Sequence, residues 1–310
     1  MFLVVGATLI VFNYLYIGQV QTVSQISAVS ERVAITVTQP QKAAFYVRDI
    51  RFRIPTGNHQ GPCEEGMITP ALNTRVIYER SGKGPLSVEL LPPPQTPNVI
   101  TAVFTRLKDN QDRNLIGSTY LETDAACDSA HTPPELNLPV WGLVVIGVEY
   151  RGANGPAPPL HQFLLEGKLT LSADAVAVPW MHMRPTLYKV AELNLPVGSR
   201  LEDCLTPSCE ESWRATATRR EVNWWGTVSV DASQSALRVD LATDAPRLAL
   251  YRPGRYRDDP EVIEATILTQ AFDDPNLIKI YKWLGVAAGF GALLDWIIGL
   301  FARGRVTRDV

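Results

Sequence analysis

Short segments in which apolar and polar residues alternate recur through the middle of this 310-residue sequence, and that period of two narrows the available folds most. Ile50-Arg51-Phe52-Arg53-Ile54, Gly167-Lys168-Leu169-Thr170-Leu171-Ser172-Ala173, Thr227-Val228-Ser229-Val230 and Leu237-Arg238-Val239-Asp240-Leu241 each place apolar side chains on one face and polar ones on the other. That is the pattern of a strand with one buried and one wet face, and it predicts antiparallel sheets. Arg75 to Glu79, Val99 to Phe104 and Leu143 to Tyr150 are further strand candidates, the last a run that belongs in a core. Turn clusters such as Ser81-Gly82-Lys83-Gly84-Pro85 separate them, and the 23 prolines, grouped at Pro92 to Pro97, Pro133 to Pro139 and Pro156 to Pro159, break the chain into short segments. The expected fold class is mainly β: an antiparallel β-sandwich-like region, as one large or two packed domains. Gly152 to Pro159 is a natural seam, giving a first β-rich domain at 33–151 and a second at 160–257.

The two ends follow a different rule. Phe2 to Ile17 and Leu284 to Phe301 are almost wholly apolar, the second interrupted by Asp295. A bilayer core of ~30 Å needs ~17–25 apolar residues in a helix, so each run spans when its flanks are added. Transmembrane helices are therefore expected at 1–20 and 284–302. Tyr281 and Trp283 suit a headgroup boundary, and Arg303, Arg305 and Arg308 make 303–310 a cytoplasmic tail. A cleaved signal peptide is the competing reading of the first run, but no basic residues precede it and no small-residue cleavage site closely follows it. Between the β-region and the second span, 258–283 reads as a juxtamembrane helical segment. Asp258-Asp259-Pro260 and Asp273-Asp274-Pro275 each offer an N-cap followed by proline at the first helical position, predicting a short helix from Pro260 to Phe272 and a longer one from Pro275, with a last strand as the alternative for Val262 to Phe272 given its Ile and Thr content.

Cysteine usage fits an exported middle region. Cys63, Cys127, Cys204 and Cys209 all lie there, and four cysteines allow three disulfide connectivities. The short spacing of Cys204 and Cys209 favours a local loop, which leaves Cys63 for Cys127. Zinc is disfavoured, because neither pair has C-x-x-C spacing and no paired histidines accompany them. The absence of an N-x-S/T sequon favours a bacterial periplasm, so the chain is expected in the inner membrane with its central region periplasmic.

The C-terminal run carries a seam of small residues. Gly285, Ala288, Ala292, Asp295, Gly299 and Ala302 alternate at spacings of three and four, with Gly289 beside them. Such a face lets a second helix approach closely. Asp295, about 12 Å inside the cytoplasmic boundary at 1.5 Å per residue, calls for a polar partner or water. The expected partners are the bilayer and, through this helix, other membrane proteins or a second copy.

Chemistry in the β-region is thinly marked. The net charge of -3, without any basic stripe, argues against nucleic acid. Trp180-Met181-His182-Met183 contains soft ligand types, yet strand alternation sends its methionines away from His182, so core packing is the better reading. There is no G-x-S-x-G elbow and no H-E-x-x-H. No catalytic, metal or cofactor residues are therefore assigned. Trp224-Trp225, with Trp213, could form an aromatic platform for a glycan or lipid, one of the adjacent pair turned inward and the other outward. The leading expectation is a non-enzymatic assembly subunit of an envelope membrane complex. A membrane-tethered glycan- or lipid-binding module comes second, and an envelope hydrolase with an unrecognised site third.

Overall fold

The computed structural model describes residues 22–53, 62–124, 127, 136–147, 164–175, 186–204, 223–231, 234–245, 247–253, 260–264, 274–280, 282–283 and 285. The chain divides into two compact units, one of Thr22–Leu171 with Ala191–Glu264 and the other of Met1–Gln21, Ser172–Val190 and Ala265–Val310.

The larger unit is built of antiparallel strands, of which Leu164–Asp174 and Leu187–Leu195 also include residues of the smaller unit. Those used below are β1 (Thr22–Ser30), β2 (Arg32–Val37), β3 (Phe45–Arg53), β4 (Glu64–Pro70), β5 (Arg75–Glu79), β6 (Ser87–Leu91), β7 (Ile100–Arg106), β8 (Asp112–Ile116), β9 (Thr119–Thr123), β10 (Leu136–Ile146), β11 (Leu164–Asp174), β12 (Leu187–Leu195), β13 (Arg200–Asp203), β14 (Trp224–Val230), β15 (Leu237–Thr243), β16 (Arg247–Tyr251) and β17 (Glu261–Glu264). The alternating segments read from sequence fall within β3, β11, β14 and β15, apart from Ile54, which lies outside the described residues, and Arg75–Glu79 is β5. Alternation decides which side each residue takes: in β10 Leu136, Leu138, Val140, Val144 and Ile146 are buried, while Asn137 is exposed.

Pairing runs β8–β7–β4–β3–β9–β6–β5–β2–β10. At β10 the sheet branches. Leu136 to Gly142 pair with β14, Val145 and Ile146 pair with β13, and Gly142 to Ile146 pair with β2. One branch continues β14–β15–β1–β11, the other β13–β16–β17. Gly142 stands at the fork with φ of +156°, and a Cβ there would lie 2.1 Å from the carbonyl oxygen of Thr36. Only glycine lets β2 approach this closely. Pro139, expected to help break the chain, lies inside β10 opposite Thr227. The described pairing with β2 begins only at Gly142, so before the fork β10 has an edge where the missing N–H of proline is tolerated.

Strands from both sides of Gly152 to Pro159 share one hydrophobic cluster. Val33, Phe45, Tyr78, Phe104 and Val144 belong to it together with Leu169, Leu201, Trp224 and Val239. The two expected halves are thus joined by pairing and by a common core. Polar ties reinforce this: the buried Arg80 donates from Nε to Gly84 O (3.1 Å) and from Nη1 to Asp231 O (2.7 Å), linking the β5–β6 turn to the end of β14. Glu64, its side chain 5% exposed, is held by Arg106 at 3.2 Å and Arg113 at 3.1 Å, and the Arg113 guanidinium lies 4.1 Å over the ring of Phe52.

The helix expected from Pro260 to Phe272 is corrected at its start, where Glu261–Glu264 is strand β17, paired with β16. The branched Val262 and Ile263 suit an extended pairing, and an open partner edge outweighs a cap signal. The second start signal behaves as expected. Asp274 Oδ1 accepts from the N–H groups of Asn276 (2.7 Å) and Leu277 (3.1 Å), Pro275 opens the helix, and residues 275–280 are helical. Among the described residues no helix is long and apolar enough to cross a membrane. The runs 1–20 and 286–302, and with them both expected spans apart from Gly285, lie outside the described residues.

Cys63 is bonded to Cys127, as the spacing argument expected. Cys204 is also disulfide-bonded, with its partner outside the described residues. The Cys63–Cys127 link closes a separation of 64 residues, for which the chain-entropy account gives about 4 kcal/mol. The double variant Cys63→Ser/Cys127→Ser should therefore lose about that much stability in urea titration; a loss below about 1 kcal/mol would mean that the unfolded chain is not restrained by this loop.

Candidate functional site

Trp224 and Trp225 are successive residues of β14, so alternation separates them. Trp224 is fully buried in the core, and Trp225 is half-buried on the opposite face. The platform expected of Trp213, Trp224 and Trp225 thus retains Trp225 alone among the described residues; Trp224 is withdrawn into the core, and Trp213 lies outside the described residues.

What joins Trp225 comes from distant parts of the chain. Register sets Trp141 of β10 opposite Trp225, Trp225 opposite Ala242 of β15, and Ala242 opposite Gln25 of β1. All four lie on one face in a row across the strands. The next row holds Thr227, Asp240 and Ser27. The rings of Trp141 and Trp225 are 6.3 Å apart at 35°, and the ammonium of Lys42 lies 3.8 Å over the Trp141 ring. Lys168 and Thr170 of β11 complete an open groove of about 360 Å³ lined also by Gln25, Ser27, Trp225, Asp240 and Ala242.

Glycine makes this face possible a second time. Gly226, immediately after Trp225, has φ of +143°, and a Cβ there would meet the carbonyl oxygen of Asp240 at 2.2 Å. Both tryptophans of the row therefore precede a glycine at which the neighbouring backbone closes in. The polar groups are tied to one another. Ser27 Oγ donates to Asp240 Oδ1 at 2.7 Å, Arg238 Nε donates to Asp240 Oδ2 at 2.9 Å, and Lys168 Nζ lies 2.6 Å from Glu192 Oε1.

Behind the groove, Trp224 Nε1–H donates to Asp203 Oδ1 at 2.5 Å. Asp203 is buried and its Oδ2 has no hydrogen-bond partner among the described residues. Burial pushes its carboxyl well above the ordinary carboxylate range; the Trp224 hydrogen bond opposes this, while Glu202 and Asp244 add to it. Next to it, the buried Arg200 and Glu202 form an ion pair, with the Arg200 guanidinium 5.0 Å over Tyr251. This is a structural corner that fixes where β14 begins.

Other sequence candidates fall elsewhere. Of the proposed membrane interface, Ala288, Gly289, Ala292, Asp295 and Gly299 lie outside the described residues; Gly285 is helical, and a Cβ there meets nothing within 4 Å among the described residues. Met181, His182 and Met183 are likewise outside them, and among the described residues there is no group of three or more His, Cys, Asp or Glu placed to hold a metal ion. Trp141, Gln25, Ser27, Lys168, Thr170 and Asp240 had no individual sequence signal. The available clue was collective: the polar phases of four alternating strands and two Trp-Gly dipeptides.

Because Asp203 holds its proton more tightly folded than unfolded, its contribution to stability is fullest at low pH and declines as pH rises from about 4 towards its raised folded value. Asp203→Asn keeps an acceptor for Trp224 and should remove that decline, leaving the variant at least as stable as the parent at neutral pH. Asp203→Leu should instead lose about 1–3 kcal/mol by orphaning the indole N–H. Urea midpoints from pH 4 to 8 measure both; an unchanged pH slope in Asp203→Asn would show that Asp203 titrates normally.

Compared with known families, curated proteins and solved structures, the chain matches none.

Proposed function

We propose that this chain is a non-enzymatic binding module that takes the flat face of a saccharide ring on Trp225. The observation that carries the reading is that the half-buried Trp225 lines an open groove together with residues that carry hydroxyl, amide and charged groups. A sugar ring has an apolar face rimmed by hydroxyls, and the groove offers the complementary arrangement: one aromatic surface and several hydrogen-bonding groups around it. Its volume, about 360 Å³, lies at the small end of ligand sites. An acyl chain would displace water from Gln25 and from the Ser27–Asp240–Arg238 cluster without returning a hydrogen bond, so of the glycan and lipid alternatives the glycan fits better. Binding is favoured over catalysis because the charged groups lining the groove, Asp240 and Lys168, are engaged with Arg238 and Glu192.

On a glycan array the protein should give discrete hits, and Trp225→Ala should lower affinity tenfold or more with an unchanged circular dichroism spectrum. Wild-type affinity in Trp225→Ala, or an array without hits, would refute the reading. Trp224→Ala is the contrasting variant: it empties a buried site and should cost about 3–5 kcal/mol of stability.

A second reading keeps the chain as an assembly subunit of a bacterial inner-membrane complex, its β-sandwich-like region periplasmic and tethered at both ends. The observation favouring it is a cluster of exposed apolar side chains: Ile100 lies opposite Ile116, Val99 adjoins Ile100, and Leu72 follows Ala71, whose N–H donates to Thr101 O. Trp283, 67% exposed just before the apolar run, fits a headgroup boundary. Under this reading Asp295→Leu and Ala292→Leu should release co-purifying membrane proteins in mild detergent while membrane insertion is kept; retention of every partner would remove it.

A further inference from the structure

Resting on the saccharide reading of the Trp225 groove, we infer that its ligand is a neutral oligosaccharide lying across the strands, running from Trp225 towards β11. Three observations give the class and the direction.

The first is charge. Two ionisable side chains line the groove, Asp240 and Lys168, and each carries its counter-charge within contact distance: Arg238 at 2.9 Å and Glu192 at 2.6 Å. These ion pairs are partly exposed and add little to stability. Their importance is that the four charges sum to zero, so a carboxylated or sulfated sugar loses hydration with no net Coulombic return. Hydroxyl groups face no such penalty. They can accept from the Gln25 amide and Lys168 ammonium, donate to Asp240, and do either with Ser27 and Thr170.

The second is the row Trp141–Trp225–Ala242–Gln25. At one end Lys42 covers Trp141, 3.8 Å over its ring, so that surface is already occupied and the ligand ends over Trp225. On the other side Ala242 contributes only a methyl group, leaving a low floor between Trp225 and Gln25. The open direction is therefore from β14 through β15 and β1 to β11.

The third is length. Three steps between strands at ~4.8 Å span about 14 Å, longer than a single sugar ring and suited to a short oligosaccharide.

Calorimetry on the full-length protein in detergent tests this, using neutral oligosaccharides of one to four units chosen from array hits and matched uronic-acid oligosaccharides. Neutral ligands should gain at least tenfold in affinity from one unit to three, with less than twofold change between 50 and 500 mM salt. The uronic-acid series should bind at least tenfold more weakly. Asp240→Asn leaves the groove with a net positive charge and should raise uronic-acid affinity severalfold, while Ala242→Leu should raise the low floor, block the groove and weaken trisaccharide binding tenfold or more. Preference for acidic sugars, or a monosaccharide binding as tightly as a trisaccharide, overturns this inference while leaving a Trp225-dependent saccharide site intact. No binding by either series, or no effect of Trp225→Ala, overturns the saccharide reading and this inference together.

Discussion

The close approach of β2 to β10 at Gly142 is the constraint on which the rest depends. A strand in a sheet has two edges, and β10 uses both in unequal parts: β14 and then β13 along one edge, β2 along the other from Gly142 onward. The contact that permits this leaves no room for a Cβ, which would fall 2.1 Å from a backbone oxygen that has nowhere to move. Through this fork, strands before and after the proline-rich seam become one sheet with one hydrophobic cluster. A side chain at residue 142 would disturb pairing on which both halves rely.

The groove is a consequence of that branch. Trp141 precedes the fork, and pairing of β10 with β14 brings Trp225 opposite it. Gly226 then lets β15 close in behind Trp225, so the indoles stand on one face while Trp224 fills the core behind them. Asp203 holds Trp224 from the inside at the expense of burying a carboxyl whose second oxygen has no partner among the described residues. The groove thus has a buried back and an open front.

Charge is placed with similar economy. Three buried charged groups are held by specific partners: Glu64 between two arginines, Arg200 with Glu202, and Arg80 on backbone carbonyls. Taking one partner away from such a group leaves an uncompensated buried charge, which is why these sites resist single substitutions more than their modest net energies suggest. On the groove face the same pairing occurs in water, where its effect is to cancel fields rather than to stabilise the fold.

Alternation and apolar runs marked β3, β5, β7, β10, β11, β14 and β15, their antiparallel sense and which of their residues face inward, because side-chain alternation is a local property of extended chain. The sequence also told that Trp224 and Trp225 part company, that Cys63 belongs with Cys127, and that Asp274 and Pro275 start a helix. Strand partners were not legible, since pairing depends on edges left open by residues far away in the chain. That is why 261–264 became a strand although a cap signal preceded it. It is also why Trp141, Gln25, Asp240 and Lys168 carried no individual mark: their shared face exists only once β10, β14, β15, β1 and β11 lie side by side. Sequence alone determined the strongly alternating strands and their two faces; the tertiary structure decided the remaining strands and every neighbour, because backbone hydrogen bonds are the same for every residue type and do not record which strand will supply them.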